Sequence, residues 1–531
     1  MLDLILRNGM IVDGTGRQPF RGNIGVKDKK IVSVGDLGLA SARTEKDISN
    51  HYVIPGIIDA HTHGDLQLLR KPVNLIKLKQ GVTCEIVGNC GFSLAPCASE
   101  DGSWQDLYIN ILGRTNGIAE GALDFPEYLD RLEDLPLGQH CAAIIGTGAV
   151  RAMVKGMSRG PMSAGERARA HSIVKEAMRA GAVGLSSGLV YPPDCYSDEE
   201  DLLSMVSGLT QSQRPYVVHI RGEGTQLLHA IREAIDIANR AQVPLHISHF
   251  KAMGANSWNL LDDAINLIED ARDRGQDITC DCYPYTGGAT TMTALLPPWV
   301  MEGGAAEAVN RLTDTKLRCE IVDEMQEKSD KWDNVVLGVG WNNVIVTSAA
   351  HAKWHDFCGE TIQQIASCND MEPVDAFLDI LADSHCDVSC VHMSMRMEDV
   401  GRILCLPYVF VASDSLYVPE NALHPRVWGT FARVLHWALA GKKLSLSDAV
   451  MKMTSMPADR FGLTKRGVLA ENQWADMTVF SKNIEDTATY QNPMMPPKGI
   501  AQVYLEGQLI IENGNYCDKE PHGKLLRAGQ M

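Results

Sequence analysis

The chain lacks several features that would decide its class early. No uncharged apolar run approaches the roughly 18 residues a membrane span needs. The apolar start, "MLDLILRNGMIVDG", is interrupted by Asp3 and Arg7, and no basic leader or small-residue cleavage site accompanies it, so no signal peptide is expected. Basic residues are outnumbered, with Lys+Arg 49 against Asp+Glu 66 and a net charge of -17. That balance argues against nucleic acid or an anionic membrane as partner, because both reward clustered cations. The 14 cysteines show no small-domain spacing, which fits a reduced, cytoplasmic protein whose thiols are mostly core residues. There is no low-complexity tract. No glycine-rich dinucleotide fingerprint opens the first strand–helix unit, which disfavours an open doubly wound sheet.

What remains is a globular composition, 45% hydrophobic and 22% charged, over 531 residues. Length alone suggests about three or four domains, fewer if one is a large barrel. The two ends are alike. Short β-rich runs with Asn-Gly and Asp-Gly turns fill the first fifty residues or so, and similar runs fill the last sixty or so. These ends, 1–55 and 461–531, can pair into one small β-sandwich. Between them, 56–460 alternates strand and helix, as in "CAAIIGTG" before "SAGERARAHSIVKEAMRAG" and "PYVVHIRGEG" before "TQLLHAIREAIDIANRA". The repetition predicts an α/β fold, a (β/α)8 TIM barrel. A helical insertion is expected at about 291–354, placed as a cover over the strand ends.

Barrel chemistry sits at the C-terminal ends of strands. "IPGIIDAHTHGD" ends the first strand in His61 and His63, and residues two apart share a face, so both imidazoles can reach one metal. Cys90 ends the second, "GVTCEIVGNCGFS", while Cys84 earlier in that run reads as core. His219 and His249 end successive strands, with His246 on the opposite face and read as structural. Asp414 ends the late run "YVFVASDS". Thiolate and imidazole are the donors zinc prefers.

With these residues assembled, "PGIIDAHTHGD" and the late aspartate resemble the amidohydrolase superfamily. "GNCGFSLAP", "GLSSGLVYPP", "HIRGEG", "HISHFKAMG", "DCYPYTGGATTMTALLPPW" and "HPRVWGTFARVL" resemble its N-acyl-D-amino acid deacylases. The resemblance implies zinc-dependent hydrolysis of N-acyl-D-amino acids. It implies one tightly held zinc on Cys90, His219 and His249, and a weaker second metal by His61, His63 and Asp414. The fourth strand, "AVGLSSGLVY", has no lysine to bridge two metals, which leaves Cys90 between them. Asp414 is the implied catalytic acid–base; Arg426, Lys251, Tyr283 and, more weakly, Tyr191 are the implied substrate contacts.

The chain departs from the family pattern at Ser415, at Ala289, at Thr147 and in a spacer to Arg426 one residue longer than usual. A cyclic amidase of the hydantoinase or dihydroorotase kind is the nearest alternative, and a metal-free scaffold is another. Preferred side chain, acyl group and oligomeric state stay open.

Overall fold

The computed structural model describes residues 1–97, 111, 123–210, 212–329, 331–417, 424–517 and 520–529. Its centre is a ring of parallel strands. In order these are Ile57–Asp59 continued by Thr62–His63, Val82–Val87, His140–Ala143 continued by Ile145–Gly146, Leu185–Gly188, Tyr216–His219, Leu245–Ile247, Ile278–Cys282, and Val409–Val411 continued by Ser415–Leu416. Ser415 pairs with Thr62, so the last strand lies against the first and the barrel closes. Almost every strand residue is buried, because side chains pack inward on the barrel axis and outward on the helices. That two-sided burial is why these segments read as unbroken apolar runs rather than alternating ones.

The helices between strands carry their own start and stop signals. Ala164–Ala180 begins with a capping box, in which Ser163 and Glu166 satisfy each other's backbone amides, and it ends at Gly181 with φ 113. Leu227–Ala241 buries Leu227, Ile231, Ala234 and Ala238 along one face, the spacing the sequence shows.

The two chain ends meet as expected. Strands within 2–55 and 477–516 form one continuous nine-stranded sheet, and this sheet is the form the expected sandwich takes. The junction is His51–Pro55 running antiparallel to Met477–Glu485, with Ile54 opposite Thr478. Leu4, Leu6, Ile24, Val53 and Val479 make a core of their own within this sheet, whereas Ile54, Phe480, Val503 and Leu505 join the barrel's core. Among the described residues no helix is long and apolar enough to cross a membrane.

The segment between the seventh and eighth barrel strands differs from expectation. It contains a three-stranded antiparallel sheet of Gly287–Thr291, Val388–Met393 and Val344–Ala349, together with helices such as Ala305–Thr313, Thr315–Gln326 and Pro373–Asp383. The insertion is therefore wider than 291–354 and is not purely helical. "CDVSCVHMS", which reads as part of the strand–helix alternation, belongs to this sheet and not to the barrel. A short apolar run specifies a strand but not its partner. The insertion packs around Leu312, Ile321, Trp354, Phe377 and Leu381, in a core that also takes in Cys90, Phe92, Tyr191 and Leu416 at the barrel rim.

Candidate metal centre and active site

The strand ends converge on a cleft with about 1010 Å³ of empty space. His63, Cys90, His219, His249 and Asp414 line it, as do Tyr191, Lys251, Tyr283 and Arg426. His61 stands just behind that wall, fully buried, and still reaches the others. Its Nε2 is 3.3 Å from Cys90 Sγ and 3.4 Å from Asp414 Oδ1. Cys90 Sγ is 3.6 Å from His249 Nε2, and His63 Nε2 is 3.2 Å from Asp414 Oδ1. Three donor groups, each with ligand atoms within 4.8 Å of one another, share these residues: His61, His63 and Cys90; Cys90, His219 and His249; His61, His249 and Asp414.

The donor set fits a zinc ion on physical grounds. His219 Nδ1 and His63 Nδ1 are buried nitrogens without a hydrogen-bond partner, an expensive arrangement unless they hold something. Burial alone would push the Cys90 thiol up, but the charge of His61 and the neighbouring His219 and His249 imidazoles hold it well below the ordinary range, as a thiolate ligand needs. Burial and the neighbouring His249 push His219 down, towards the neutral form that binds metal.

Two carboxylates missed in the sequence reading aim the imidazoles. Asp281 Oδ2 lies 3.1 Å from His61 Nδ1 and 3.0 Å from His246 Nε2, while its Oδ1 accepts from the His249 amide at 2.8 Å. Glu223 Oε1 lies 2.9 Å from His249 Nδ1 and accepts from Lys251 Nζ; Oε2 lies 3.7 Å from His219 Nε2. Both acids are held below their ordinary range: burial raises them, but the charge of His61 on Asp281, and of Lys251 on Glu223, outweighs it with further help. Outer-shell partners of this kind fix ring orientation and leave the other nitrogen facing the metal. The available signal was a charge inside a buried strand run, Asp281 in "ITCDC", and the glutamate of "HIRGEG". His246 is structural in the sense expected, packed behind the ligands with Asp281.

Cys90, His249 and Asp414 all take positive φ, at 53, 34 and 49 degrees. Left-handed backbone is unfavourable for such residues and tends to persist where the surroundings enforce it, often at functional sites. The close packing is visible at Gly188, where an added Cβ would stand 2.0 Å from the Cys90 carbonyl oxygen. Asp414 is further fixed by its neighbours, since Lys77 Nζ donates to Ser413 Oγ at 2.8 Å and Ser415 Oγ at 2.7 Å. Ser415 thus has a partner that a glycine would lack.

On the substrate side, Arg426 Nη1 makes a 2.9 Å ion pair with Asp414 Oδ2, Nη2 donates to the Ala289 carbonyl at 3.3 Å, and the guanidinium lies 4.6 Å from the Tyr283 ring centre. Burial would raise the Asp414 carboxyl, but Arg426, then His61 and His63, hold it well below the carboxylate range. Tyr191 packs on Phe92 at 4.7 Å, and its hydroxyl is 2.8 Å from Thr290 Oγ1 in the insertion's first strand. Leu295, Leu296, Trp332 and Val335 of the insertion roof the cleft with apolar surface.

A closed barrel with thiolate, imidazole and carboxylate donors gathered at its C-terminal rim is the build of a metal-dependent hydrolase. The amidohydrolase family model matches residues 45–511. A D-aminoacylase of Alcaligenes xylosoxydans xylosoxydans is 32% identical, over 99% of this chain and 98% of its own. The structure is similar, at TM-score 0.83 and 29% identity over 99% of this chain and 100% of the other, to N-acyl-D-glutamate deacylase from Bordetella bronchiseptica complexed with zinc and a phosphonate mimic of the tetrahedral intermediate. It is equally similar, at TM-score 0.84, 29% identity and the same coverage, to a D-aminoacylase described by a binuclear metal centre with one-metal activation and second-metal attenuation. The chain belongs to the amidohydrolase family and, within it, to the D-aminoacylases.

Proposed function

We propose that the chain hydrolyses N-acyl-D-amino acids to a carboxylate and a free D-amino acid, with zinc as its cofactor. The observation that carries this reading is the meeting of Cys90, His219, His249, Asp414 and Arg426 on one cleft, in a chain similar along its length to D-aminoacylase. In this reading Cys90, His219 and His249 hold the tight zinc, and His61, His63 and Asp414 a weaker second metal. Zinc, when bound, acidifies water and polarises the scissile carbonyl. Asp414 takes the proton from the attacking water and passes it to the leaving amine. Arg426 turns its planar fork to the substrate's α-carboxylate, supported by the face of Tyr283, with Lys251 nearby.

The roof favours an apolar side chain. Cations that line the cleft already have acidic partners: Arg426 with Asp414, Lys251 with Glu223, and Arg221 with Glu233; Lys331 is exposed. Domain bounds of 1–55, 56–460 and 461–531 and a cytoplasmic setting belong to the same reading. The latter is supported by the 14 cysteines, none of which is in a disulfide.

A screen of N-acetyl-D- and N-acetyl-L-amino acids on zinc-replete protein tests the proposal. Turnover of D-substrates with apolar side chains, lost on exhaustive chelation and regained with zinc, is the expected result. Full turnover with metal confirmed absent would overturn it, as would preference for cyclic amides.

A further inference from the structure

The insertion reaches the loop that carries Glu223 through a side chain that the reaction scheme does not use. Asp333 lies in the roof, between Trp332 and Asn334, and is only 8% exposed. Its carboxylate accepts three successive backbone amides of the loop after the fifth barrel strand. Oδ2 takes Glu223 N at 2.9 Å and Gly224 N at 2.6 Å, while Oδ1 takes Thr225 N at 3.0 Å and Thr225 Oγ1 at 3.2 Å. The loop is shaped for this approach. A Cβ on Gly224 would stand 2.9 Å from Asp333 Oδ1, and one on Gly222 would stand 3.1 Å from Oδ2. The Glu223 carbonyl is clamped as well, accepting from the Met253 amide at 2.7 Å.

We infer that Asp333 is a positioning residue, a latch by which the insertion fixes Glu223 and, through it, the metal-holding histidines. The chain of contacts is short. Asp333 holds the Glu223 backbone; the Glu223 carboxylate lies 2.9 Å from His249 Nδ1 and 3.7 Å from His219 Nε2, and it accepts from Lys251. With the roof unlatched, Glu223 gains freedom and the two imidazoles lose the partner that aims them. Ordering of the roof over substrate and ordering of the metal ligands then become one event. This inference rests on the zinc-site reading above.

The test is zinc affinity, measured by competition with a chromophoric chelator on the full chain, with kcat and KM alongside. Asp333→Ala should weaken zinc about 10- to 100-fold, the range typical of lost outer-shell partners. It should lower kcat more than it raises KM. Asp333→Asn, which turns an NH2 towards backbone amides, should fall between. Gly224→Ala leaves every polar group in place but crowds the carboxylate, and should weaken zinc in the same direction; it decides the matter if Asp333→Ala does not fold. Glu324→Ala is the control, because it removes the acceptor of the Trp299 indole inside the insertion, a bond that is no part of the latch, and should leave zinc affinity unchanged. Zinc held within twofold of wild type by folded Asp333→Ala overturns the latch alone. A wild-type chain that binds no zinc overturns the functional reading and the latch together.

Discussion

The floor and the roof of the cleft are built on opposite principles. The floor, at the barrel strand ends, is polar and tightly paired: Asp281 braces His61 and His246, Glu223 braces His249 and Lys251, and Asp414 is shared among His61, His63 and Arg426. The roof, from the insertion, presents Leu295, Leu296, Trp332 and Val335. Barrel strands are laced to neighbours on both sides, so they can hold donors in strained backbone, whereas the insertion supplies the apolar surface above them. Under the proposed function this is a division of labour in which the floor performs the chemistry and the apolar roof selects. Substitutions in the floor should then act on kcat and metal, and those in the apolar surface of the roof on KM and preference, with Asp333 the exception that ties the roof to the floor.

The floor's largest test is Asp414→Asn. The amide keeps shape and a donor atom but cannot accept and return a proton, so kcat should fall about 10² to 10⁴-fold. Tight zinc should stay, because Cys90, His219 and His249 are untouched. Metal analysis beside steady-state kinetics checks both. A near-wild-type kcat would remove Asp414 from the chemistry and leave it as a turn residue with φ 49.

The same division explains what the sequence could show. His61, His63, Cys90, His219, His249 and Asp414 are legible because a polar, metal-type residue at the end of an apolar run stands out against its surroundings. Asp281 and Glu223 are not, since their significance lies in reaching histidines that are distant in sequence or on the next strand. Barrel and paired termini follow from repeated local patterns. The insertion does not: Val388–Met393 is a plain strand in sequence, and only tertiary pairing with Gly287–Thr291 and Val344–Ala349 shows where it belongs. Asp333 was invisible for a further reason, because its partners are backbone amides that carry no residue signature.

Arg426 stands where the division can be broken, since in the proposed function it serves the substrate yet it is paired with Asp414. Charge-assisted contacts are worth about 1.5 to 3 kcal/mol, so Arg426→Ala should lose about one to two decades of kcat/KM, and Arg426→Lys, which keeps charge without the fork, less. The N-acyl-D-amino acid amide, which has no carboxylate, separates the two roles. Wild type should prefer the acid and Arg426→Ala should not. The acid limb of the pH–rate profile should also move to higher pH in Arg426→Ala. Arg426 is the foremost charge holding the Asp414 carboxyl down against burial, and its loss lets that pKa rise. A variant that still discriminates acid from amide assigns the carboxylate elsewhere, with Lys251 next to test.

The smallest expected effect lies at the seam, where Tyr191 of the barrel bonds Thr290 of the insertion at 2.8 Å. Thr290→Val is nearly isosteric and removes only that hydroxyl. A hydrogen bond of this sort contributes about 0.5 to 1.5 kcal/mol, or about two- to tenfold. If Tyr191 is a wall of the substrate pocket, the loss should fall on KM, with kcat within about twofold, because the bond steadies ground state and transition state alike. The opposite result has an equally definite meaning. Tyr191 also lies edge-on to His219, with ring centres 5.2 Å apart. A ring that loses this bond and tilts against this histidine would disturb a residue of the proposed zinc site, and kcat would drop while KM stayed. Steady-state kinetics on one N-acyl-D-amino acid therefore decides whether Tyr191 belongs with the selecting roof or with the reacting floor.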